Sequence, residues 1–490
     1  MGMTTVSSRP LRRPENAVAT AGFMLAAIGV GVLTAINPPL GMALAAAFVF
    51  ALIVVWDLTV GMCLFLLVTF LDVVSRNANL SLTKGAGAVL AASWLATVAT
   101  RRPLRQDLTS AAPRLTLALI AFLAWSGISA VWAESPGAAS RSTLRFALDV
   151  MLVPIGFWAV RQRRHVVWVL AVFVLGAILS VLWGLTHGKV NGSAAAAQVG
   201  RLSGANVEAN VLATLLVVCA IFACALILVL RRAPLARLLA GLAAVVAMVA
   251  FFGTFSRGGL LALGVAIVAG CIYGGKSRPA FALLLVGVVL VGSLFLRDTT
   301  SGAVARLTSA STSGRIDIWK VGLRMVRAHP IVGVGSGNYT VAEPHYLLTS
   351  PGAIQRGEFI IDTPLVAHNI YLHVLAEMGV VGLALFLGVL GLAIRSATRA
   401  VEIFRRRGER SLEILGRALV VALAGILAAD FFVSDQYSKQ LWLLLALGPA
   451  LLAIARELPE PEPAFAGPSV NGARSLAAGA AAAPDDTRWP

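Results

Sequence analysis

Several long stretches of this chain contain no charged side chain, and their length limits what the chain can fold into. The segments 17–36, 40–56 and 166–185 are examples. About 20 apolar residues in a helix span the roughly 30 Å hydrocarbon core of a bilayer. Within that core, only helices and closed barrels satisfy every backbone hydrogen-bonding group. Apolar residues make up 58% of the chain and charged residues 13%, a balance unlike that of soluble domains. The sequence therefore predicts a membrane protein of the all-α class.

Hydropathy along the chain predicts about 12–14 transmembrane helices. The third, fourth and sixth candidates are short, so the predicted number of spans is a range. The candidate spans are 17–36, 40–56, 58–71, 86–100, 115–132, 144–160, 166–185, 208–230, 236–254, 259–274, 280–296, 374–394, 415–433 and 440–455.

Five segments follow from these spans. Residues 1–16 form an N-terminal segment, 17–296 hold spans joined by short loops, and 372–457 hold the C-terminal spans. Between them, residues 297–371 form one large loop, which we expect to carry two or three helices packed over the membrane. Residues 458–490 are rich in Pro, Ala and Gly and are expected to be a disordered tail. The predicted fold is thus a polytopic transmembrane helical protein with one large helical loop.

The basic residues orient the spans. Most of the 40 Lys and Arg residues fall in loops on one side, and such an excess identifies the cytoplasmic side. Both termini then lie inside and the large loop is extracytoplasmic. The net charge of +17 is explained by cytoplasmic arginines that face anionic lipid headgroups. Because the basic residues are scattered over many loops, no nucleic-acid partner is expected.

Two arginines near the outer side suggest a binding function. Arg257, in the sequence Phe-Ser-Arg-Gly-Gly, lies at the outer end of a span, where a cation is costly unless it is paired or hydrated. An arginine that snorkels to the interface is the ordinary alternative. Arg315 lies near the start of an amphipathic segment, 313–329, that predicts a helix ended by Pro330. A solvated surface charge is the alternative for Arg315.

Further polar residues on the same side have equally simple alternatives. Arg201 and Asn206 precede the eighth span and could form an outer loop with a helix cap. Arg145 lies at the start of the sixth span, four residues before Asp149, a spacing that also suits an ion pair. The glycine-rich turn 333–339 lacks the context of a phosphate-binding loop and is interpreted as a structural turn.

His368 is the candidate general base. It opens the helix that returns to the membrane, and a histidine can accept a proton near neutral pH. A capping or interfacial role is the alternative. His373 and Glu377 have the spacing of a metal pair, but no third ligand is visible. We therefore expect neither a metal nor another cofactor.

Together, several arginines and a histidine without paired carboxylates suit a phosphate-bearing substrate. Guanidinium groups bind phosphate oxygens in a bidentate manner and remain charged at physiological pH. They could stabilise a diphosphate leaving group in place of a metal ion.

These residues lie in motifs that resemble the O-antigen ligase superfamily, which also includes Wzy-type O-antigen polymerases. The motifs occur in the family's order between about residues 200 and 390. They are Arg-Leu-Ser-Gly-Ala-Asn-Val-Glu-Ala-Asn (201–210), Phe-Ser-Arg-Gly (255–258), Ser-Gly-Arg-Ile-Asp-Ile-Trp (313–319), His-Pro-Ile-Val-Gly-Val-Gly-Ser-Gly-Asn-Tyr (329–339) and His-Asn-Ile-Tyr-Leu (368–372), followed by Ala-Glu-Met-Gly-Val-Val-Gly (376–382).

The resemblance implies a metal-independent, inverting membrane glycosyltransferase. Such enzymes move a saccharide from undecaprenyl diphosphate to an acceptor hydroxyl at the outer face of the bacterial cytoplasmic membrane. Carried over by position, Arg257 and Arg315 would bind the diphosphate and His368 would activate the acceptor glycan. Arg201 and Asn206 would line the same cavity, with Arg145 as a further substrate contact. A polymerase with the same donor is the alternative within the family, and a flippase for the lipid-linked saccharide is the alternative outside it.

Overall fold

The structure is a computed structural model that describes residues 34–71, 82–100, 107–187, 201–205, 208–275, 315–348 and 365–459, with a few positions near 24–32 and 278–288. All regular secondary structure in these residues is helical, which confirms the all-α prediction. Most of the first and eleventh predicted spans, and the tail beyond 459, lie outside the described residues.

The helices are named here in chain order. They are α1 (Pro38–Trp56), α2 (Leu58–Phe70), α3 (Leu82–Thr100), α4 (Leu108–Ala111), α5 (Pro113–Ile128), α6 (Pro136–Ala159), α7 (Arg163–His187), α8 (Ala209–Val229), α9 (Pro234–Gly253), α10 (Arg257–Tyr273), α11 (Arg315–Ala328), α12 (Tyr339–Leu348), α13 (Ile370–Arg406), α14 (Arg410–Ala429) and α15 (Lys439–Glu457). In the described part, eight are long and apolar enough to cross a membrane, namely α5 to α9 and α13 to α15. Segments of α1, α2 and α10 are shorter apolar helices. The chain is therefore a polytopic helical membrane protein.

Two helices extend well beyond the predicted spans, because charged residues at their ends lower the local hydropathy. Helix α6 begins at Pro136, after Ser135 accepts a hydrogen bond from the Ala138 N–H, whereas the predicted span began at 144. Its first turns carry Arg141 and Arg145. Helix α13 continues to Arg406, although the predicted span ended at 394, just before Arg395.

The core lies where the most buried helices meet. Helix α15 packs against α6 and α13, and α8 packs against α9, α10 and α14. Phe122 of α5 contacts three rings at centroid distances between 5.0 and 6.4 Å, those of Phe146, Phe386 and Trp442. These rings join α5, α6, α13 and α15. In contrast, α9 exposes a leucine- and valine-rich face, as expected of a helix that contacts lipid.

Contacts between helix ends show that the membrane helices alternate in direction. At one end, the Thr59 hydroxyl donates to the Ala159 carbonyl at 2.8 Å, and Arg456 donates to the Ala111 carbonyl at 2.8 Å. Five loops come together at the other end, namely 129–135, 201–205, 254–256, 365–369 and 430–438. The arginine-rich segments 161–164, 231–237 and 395–417 therefore lie opposite these loops.

Helices α11 and α12 cover the end of the bundle where α13 begins. Ile318, Val321 and Met325 of α11 form a small core with Tyr339 and Ala376. This confirms the predicted amphipathic helix and its end before Pro330.

The glycine-rich turn between α11 and α12 packs closely on three other segments, which confirms its structural interpretation. Gly333, Gly335 and Gly337 have φ values of 70°, 101° and 69°, in the left-handed region that favours glycine. An added Cβ would lie 2.4 Å from Glu377 at Gly333, 2.5 Å from Ala133 at Gly335, and 2.6 Å from Ser142 at Gly337.

Candidate functional site

Four charged or titratable residues come together where helices begin. Glu208 is the N-cap residue of α8, Arg257 is the first residue of α10, Arg315 is the first residue of α11, and His368 lies two residues before α13. The charges of Glu208 and Arg257 act on Arg315, and those of Glu208 and Arg315 act on His368. We call Glu208, Arg257, Arg315 and His368 the arginine site. The structure thus brings together the three residues predicted to be catalytic.

Phe432, in the loop between α14 and α15, connects the starts of α10 and α11. Its ring lies beneath Arg315, with the guanidinium carbon 5.8 Å from the ring centroid, within the range of a cation–π contact. An added Cβ at Gly258 would lie 3.2 Å from Phe432 Cβ, so a larger residue there would crowd the ring. The glycine after Arg257 therefore lets α10 approach the aromatic platform that supports Arg315.

Backbone strain is concentrated at this site. Phe255 and His368 are the non-glycine residues with positive φ in the described part of the chain, at 46° and 48°. Each immediately precedes the N-cap residue of a helix, Ser256 or Asn369. Such conformations cost on the order of 1–3 kcal/mol and cluster at functional sites. Both strained residues thus lie in the turns that lead into α10 and α13.

Hydrogen bonds hold the backbone on both sides of His368. The Trp319 indole N–H donates to the Ala367 carbonyl at 2.9 Å, and the Asn369 N–H donates to Ser434 Oγ at 3.1 Å. Asn369 also caps α13, because its side chain accepts from the N–H groups of Tyr371 and Leu372, both at 3.0 Å. The cap is therefore Asn369, which removes the capping alternative for His368.

The surroundings of His368 favour its neutral form. Burial lowers the pKa of His368 below its ordinary value, the Glu208 carboxylate opposes this shift, and Arg315 and His373 lower the pKa further. A neutral imidazole can accept a proton. Burial also lowers the pKa of Arg315, with Glu208 opposing and Arg257 adding to the effect, but a guanidinium remains charged at physiological pH.

The other three histidines of this region have different surroundings. His329 is exposed, and the His345 imidazole lies 2.8 Å from a Glu134 carboxylate oxygen. His373 is buried, with its imidazole 3.1 Å from Glu377 and stacked on the Tyr339 ring at 5.1 Å. Within the described residues, no three His, Cys, Asp or Glu side chains are grouped to hold a metal ion.

Glu377 and His373 instead support the fold. One Glu377 oxygen accepts from the Tyr339 N–H at 3.1 Å, and the other imidazole nitrogen of His373 lies 3.3 Å from Ser434 Oγ. These contacts connect α12, α13 and the loop 430–438. The same Ser434 hydroxyl also accepts the hydrogen bond from the Asn369 N–H. The His373–Glu377 pair therefore helps to position the turn that carries His368.

Arg201 lies beside the arginine site in a hydrogen-bond network of its own. Its guanidinium donates to the Thr254 carbonyl at 2.8 Å and to Asn210 Oδ1 at 2.9 Å. Ser256, the cap of α10, donates to the same oxygen at 2.9 Å. Arg201 thus fixes the segment that leads to Arg257. Asn206, predicted beside it, lies outside the described residues.

Arg145 lies over the Tyr437 ring at 5.8 Å, at the same end of the bundle. In the described part of the chain, its side chain makes no ion pair with Asp149 within 4.0 Å. Asp149 is buried at 3% exposure. The i, i+4 ion pair considered from the sequence is therefore absent, and Arg145 remains exposed.

Sequence analysis missed Glu208 and the loop 430–438. Glu208 was read only as part of the motif that contains Arg201 and Asn206. Residues 430–433 of this loop fall within the predicted span 415–433, and residues 434–438 lie between two predicted spans. Its Asp435 is also near the arginine site: burial raises the pKa of Asp435 to about 6, with Ser438 and Lys439 opposing and Glu208 adding to the increase. The sequence signal available for this loop was the polar run Ser-Asp-Gln-Tyr-Ser-Lys that follows.

Comparison with known families matches the same region. Residues 242–387 match a family model described as O-antigen ligase. No curated protein matches the chain in sequence. The matched segment contains Arg257, Arg315 and His368, whereas Glu208 precedes it. The resemblance found in the motifs is thereby confirmed over residues 242–387, where the chain is similar to the O-antigen ligase family model.

Proposed function

We propose that this protein is a glycosyltransferase that moves a saccharide from undecaprenyl diphosphate to a hydroxyl group of an acceptor glycan. The observation that supports it best is the convergence of Arg257, Arg315 and His368 within the O-antigen ligase match. Two cations and a neutral base are what such a transfer needs, since it releases a diphosphate and a proton.

In the proposed donor complex, Arg257 and Arg315 bind the diphosphate oxygens. A guanidinium can contact two of these oxygens at once. The Phe432 ring and the start of α11 hold Arg315 in place. Arg201 supports the segment before Arg257, and Asn206 and Arg145 are proposed as further substrate contacts.

In the proposed transfer, the acceptor oxygen attacks the anomeric carbon from the face opposite the diphosphate. The new C–O bond forms as the bond to the diphosphate oxygen breaks, so the configuration inverts. The His368 imidazole takes the acceptor proton, and undecaprenyl diphosphate leaves with the bonding electron pair. Arg257 and Arg315 stabilise the negative charge that develops on it. No cofactor is required.

We place this reaction at the extracytoplasmic face of the cytoplasmic membrane. The arginine-rich ends of the helices lie opposite the arginine site, and such an excess is typical of the cytoplasmic side. The undecaprenyl chain would remain in the bilayer beside α10.

A purified sample in lipid nanodiscs tests the function. The assay supplies a saccharide linked to undecaprenyl diphosphate, with EDTA present, and measures glycan transfer together with release of undecaprenyl diphosphate. One acceptor arm uses a lipid-linked core oligosaccharide, and a second uses another copy of the donor. Transfer to the core supports a ligase, and transfer only to the donor supports the polymerase alternative. A parallel sample in sealed proteoliposomes tests the flippase alternative: movement of the donor across the bilayer with its diphosphate bond intact, without transfer in either acceptor arm, would support a flippase and contradict the proposal.

A further inference from the structure

A basic cleft lies at the end of the bundle opposite the arginine site. It has a volume of about 370 Å³ and lies between the first turns of α5 and the later parts of α13 and α15. Four arginines line it, Arg114, Arg395, Arg399 and Arg456. Arg395 follows Ile370 by 25 residues along α13, which corresponds to roughly 37 Å of helix. The cleft is therefore separate from the proposed catalytic site.

The four cleft arginines have no carboxylate partner among the described residues. In the described part of the chain, none of them lies within 4.0 Å of an Asp or Glu oxygen. One turn or more further along the same helix, Arg405 and Arg406 both contact Glu402, at 2.8 and 2.9 Å. The positive charge of the cleft is thus not paired with a carboxylate within the described residues, whereas Glu402 offsets part of the charge of Arg405 and Arg406.

The shape and chemistry of the cleft suit a lipid headgroup. Arg114, Arg395 and Arg399 are exposed, and Arg456 is tied to the Ala111 carbonyl at 2.8 Å. Leu115, Leu392 and Leu452 line the same cleft, so apolar surface adjoins the charges. A soluble anion would contact only the guanidinium groups, whereas a phospholipid would contact the guanidinium groups with its headgroup and the leucine side chains with its apolar part.

We propose that this cleft binds the phosphate headgroup of an anionic phospholipid. Basic pockets between transmembrane helices on the cytoplasmic side are suited to such headgroups, and each basic residue near the surface contributes about 1 kcal/mol. The lipid would bridge α5, α13 and α15. This site is independent of the glycosyltransferase proposal, because it shares no residue with the arginine site.

Binding can be measured on the full chain in a neutral detergent, by native mass spectrometry and by the shift in unfolding temperature. The probes are phosphatidylglycerol, cardiolipin, phosphatidylethanolamine and inorganic phosphate at equal phosphate concentration. We expect phosphatidylglycerol and cardiolipin to bind and stabilise the protein more than phosphatidylethanolamine or inorganic phosphate does. The double variant R395Q/R399Q should bind these lipids about 30-fold more weakly.

The matched control is R405Q/R406Q, which removes the same charge from the same helix outside the cleft and should bind like the wild type. Arg114→Gln tests the opposite wall and should weaken binding in the same direction. Equal losses in both double variants would overturn the proposal, because they would show general attraction to basic helix ends. Equal protection by inorganic phosphate, or by phosphatidylethanolamine, would overturn it as well.

Discussion

His368 combines a strained backbone with a side chain whose pKa is lowered by burial. Its φ of 48° is tolerated better by asparagine than by alanine. Asparagine also offers hydrogen bonds but cannot serve as a base near neutral pH. His368→Asn is therefore a cleaner test of proton transfer than His368→Ala.

We expect His368→Asn to fold normally and bind donor, yet to lose about 10²–10⁴-fold in the rate of transfer at saturating acceptor. Single-turnover kinetics with preloaded donor would measure this rate. Asn369→Ala is the matched control, because it removes the cap of α13 and should cost about 0.5–2 kcal/mol of stability. A His368→Asn protein with wild-type turnover would exclude the base role.

The pH dependence of transfer should follow the lowered pKa of His368. The neutral imidazole is the active form, so the rate falls as pH drops through this pKa. Because the pKa lies below its ordinary value, the fall should occur below the usual histidine range near pH 6.5. Rates from pH 4.5 to 8, measured on protein shown to stay folded, would test this. A decline centred above pH 6.5 would contradict it.

A lysine substitution at Arg315 tests whether diphosphate binding depends on the geometry of the guanidinium group. Arg315→Lys keeps the charge but loses the bidentate contact and the stacking on Phe432, so transfer should fall by about 10²–10³-fold. Arg327→Lys is the matched control, since Arg327 is exposed near the other end of α11 and should tolerate the change. Near-normal transfer by a well-expressed Arg315→Lys protein would remove its role in the leaving group.

Among the helices, α13 contains a break that determines how the segment after α11 packs on it. Gly379 has a φ of 65° inside this helix, and the Ile331 carbonyl oxygen lies 2.0 Å from the position of an added Cβ. The break allows the Val380 N–H to donate to the Pro330 carbonyl at 2.9 Å. The segment after α11 thus docks against α13 at a position that only glycine can occupy without strain.

Gly379→Ala should consequently destabilise the protein by about 2 kcal/mol or more, since it adds both a steric clash and a strained φ. Gly388→Ala is the control on the same helix, because an added Cβ there meets nothing within 4 Å. It should be neutral or stabilising by up to about 1 kcal/mol. Thermal unfolding in one detergent compares the two. Equal effects would show that the break in α13 is not required.

Labelling from one side of the membrane tests the orientation of the protein. The test starts from a variant whose four cysteines are replaced by alanine. In this variant, Arg327→Cys near the end of α11 should react with a membrane-impermeant maleimide added to intact spheroplasts. Arg405→Cys should react only after the membrane is broken, because it lies at the opposite end of the bundle. Both native arginines are exposed. The reverse pattern would place the arginine site in the cytoplasm.

The fold class and the three central site residues could be predicted from sequence for different reasons. Long apolar stretches require helices in a membrane, whereas Arg257, Arg315 and His368 were found through their motifs. Glu208 and Phe432 were not found, because their importance comes from contacts between segments far apart in the chain. The helix ends at Pro136 and Arg406 were also missed, since hydropathy follows the apolar part of a helix and not its hydrogen bonds.

The meeting of the starts of α8, α10 and α13 at the arginine site has an electrostatic consequence. Each helix carries a macrodipole equal to roughly half a positive charge at its N-terminus, produced by backbone N–H groups. This field belongs to the main chain, so it persists when the guanidinium side chains are removed. In a protein without Arg257 and Arg315, this backbone field would still favour a diphosphate, although the Glu208 carboxylate opposes it, so any remaining attraction should be weak.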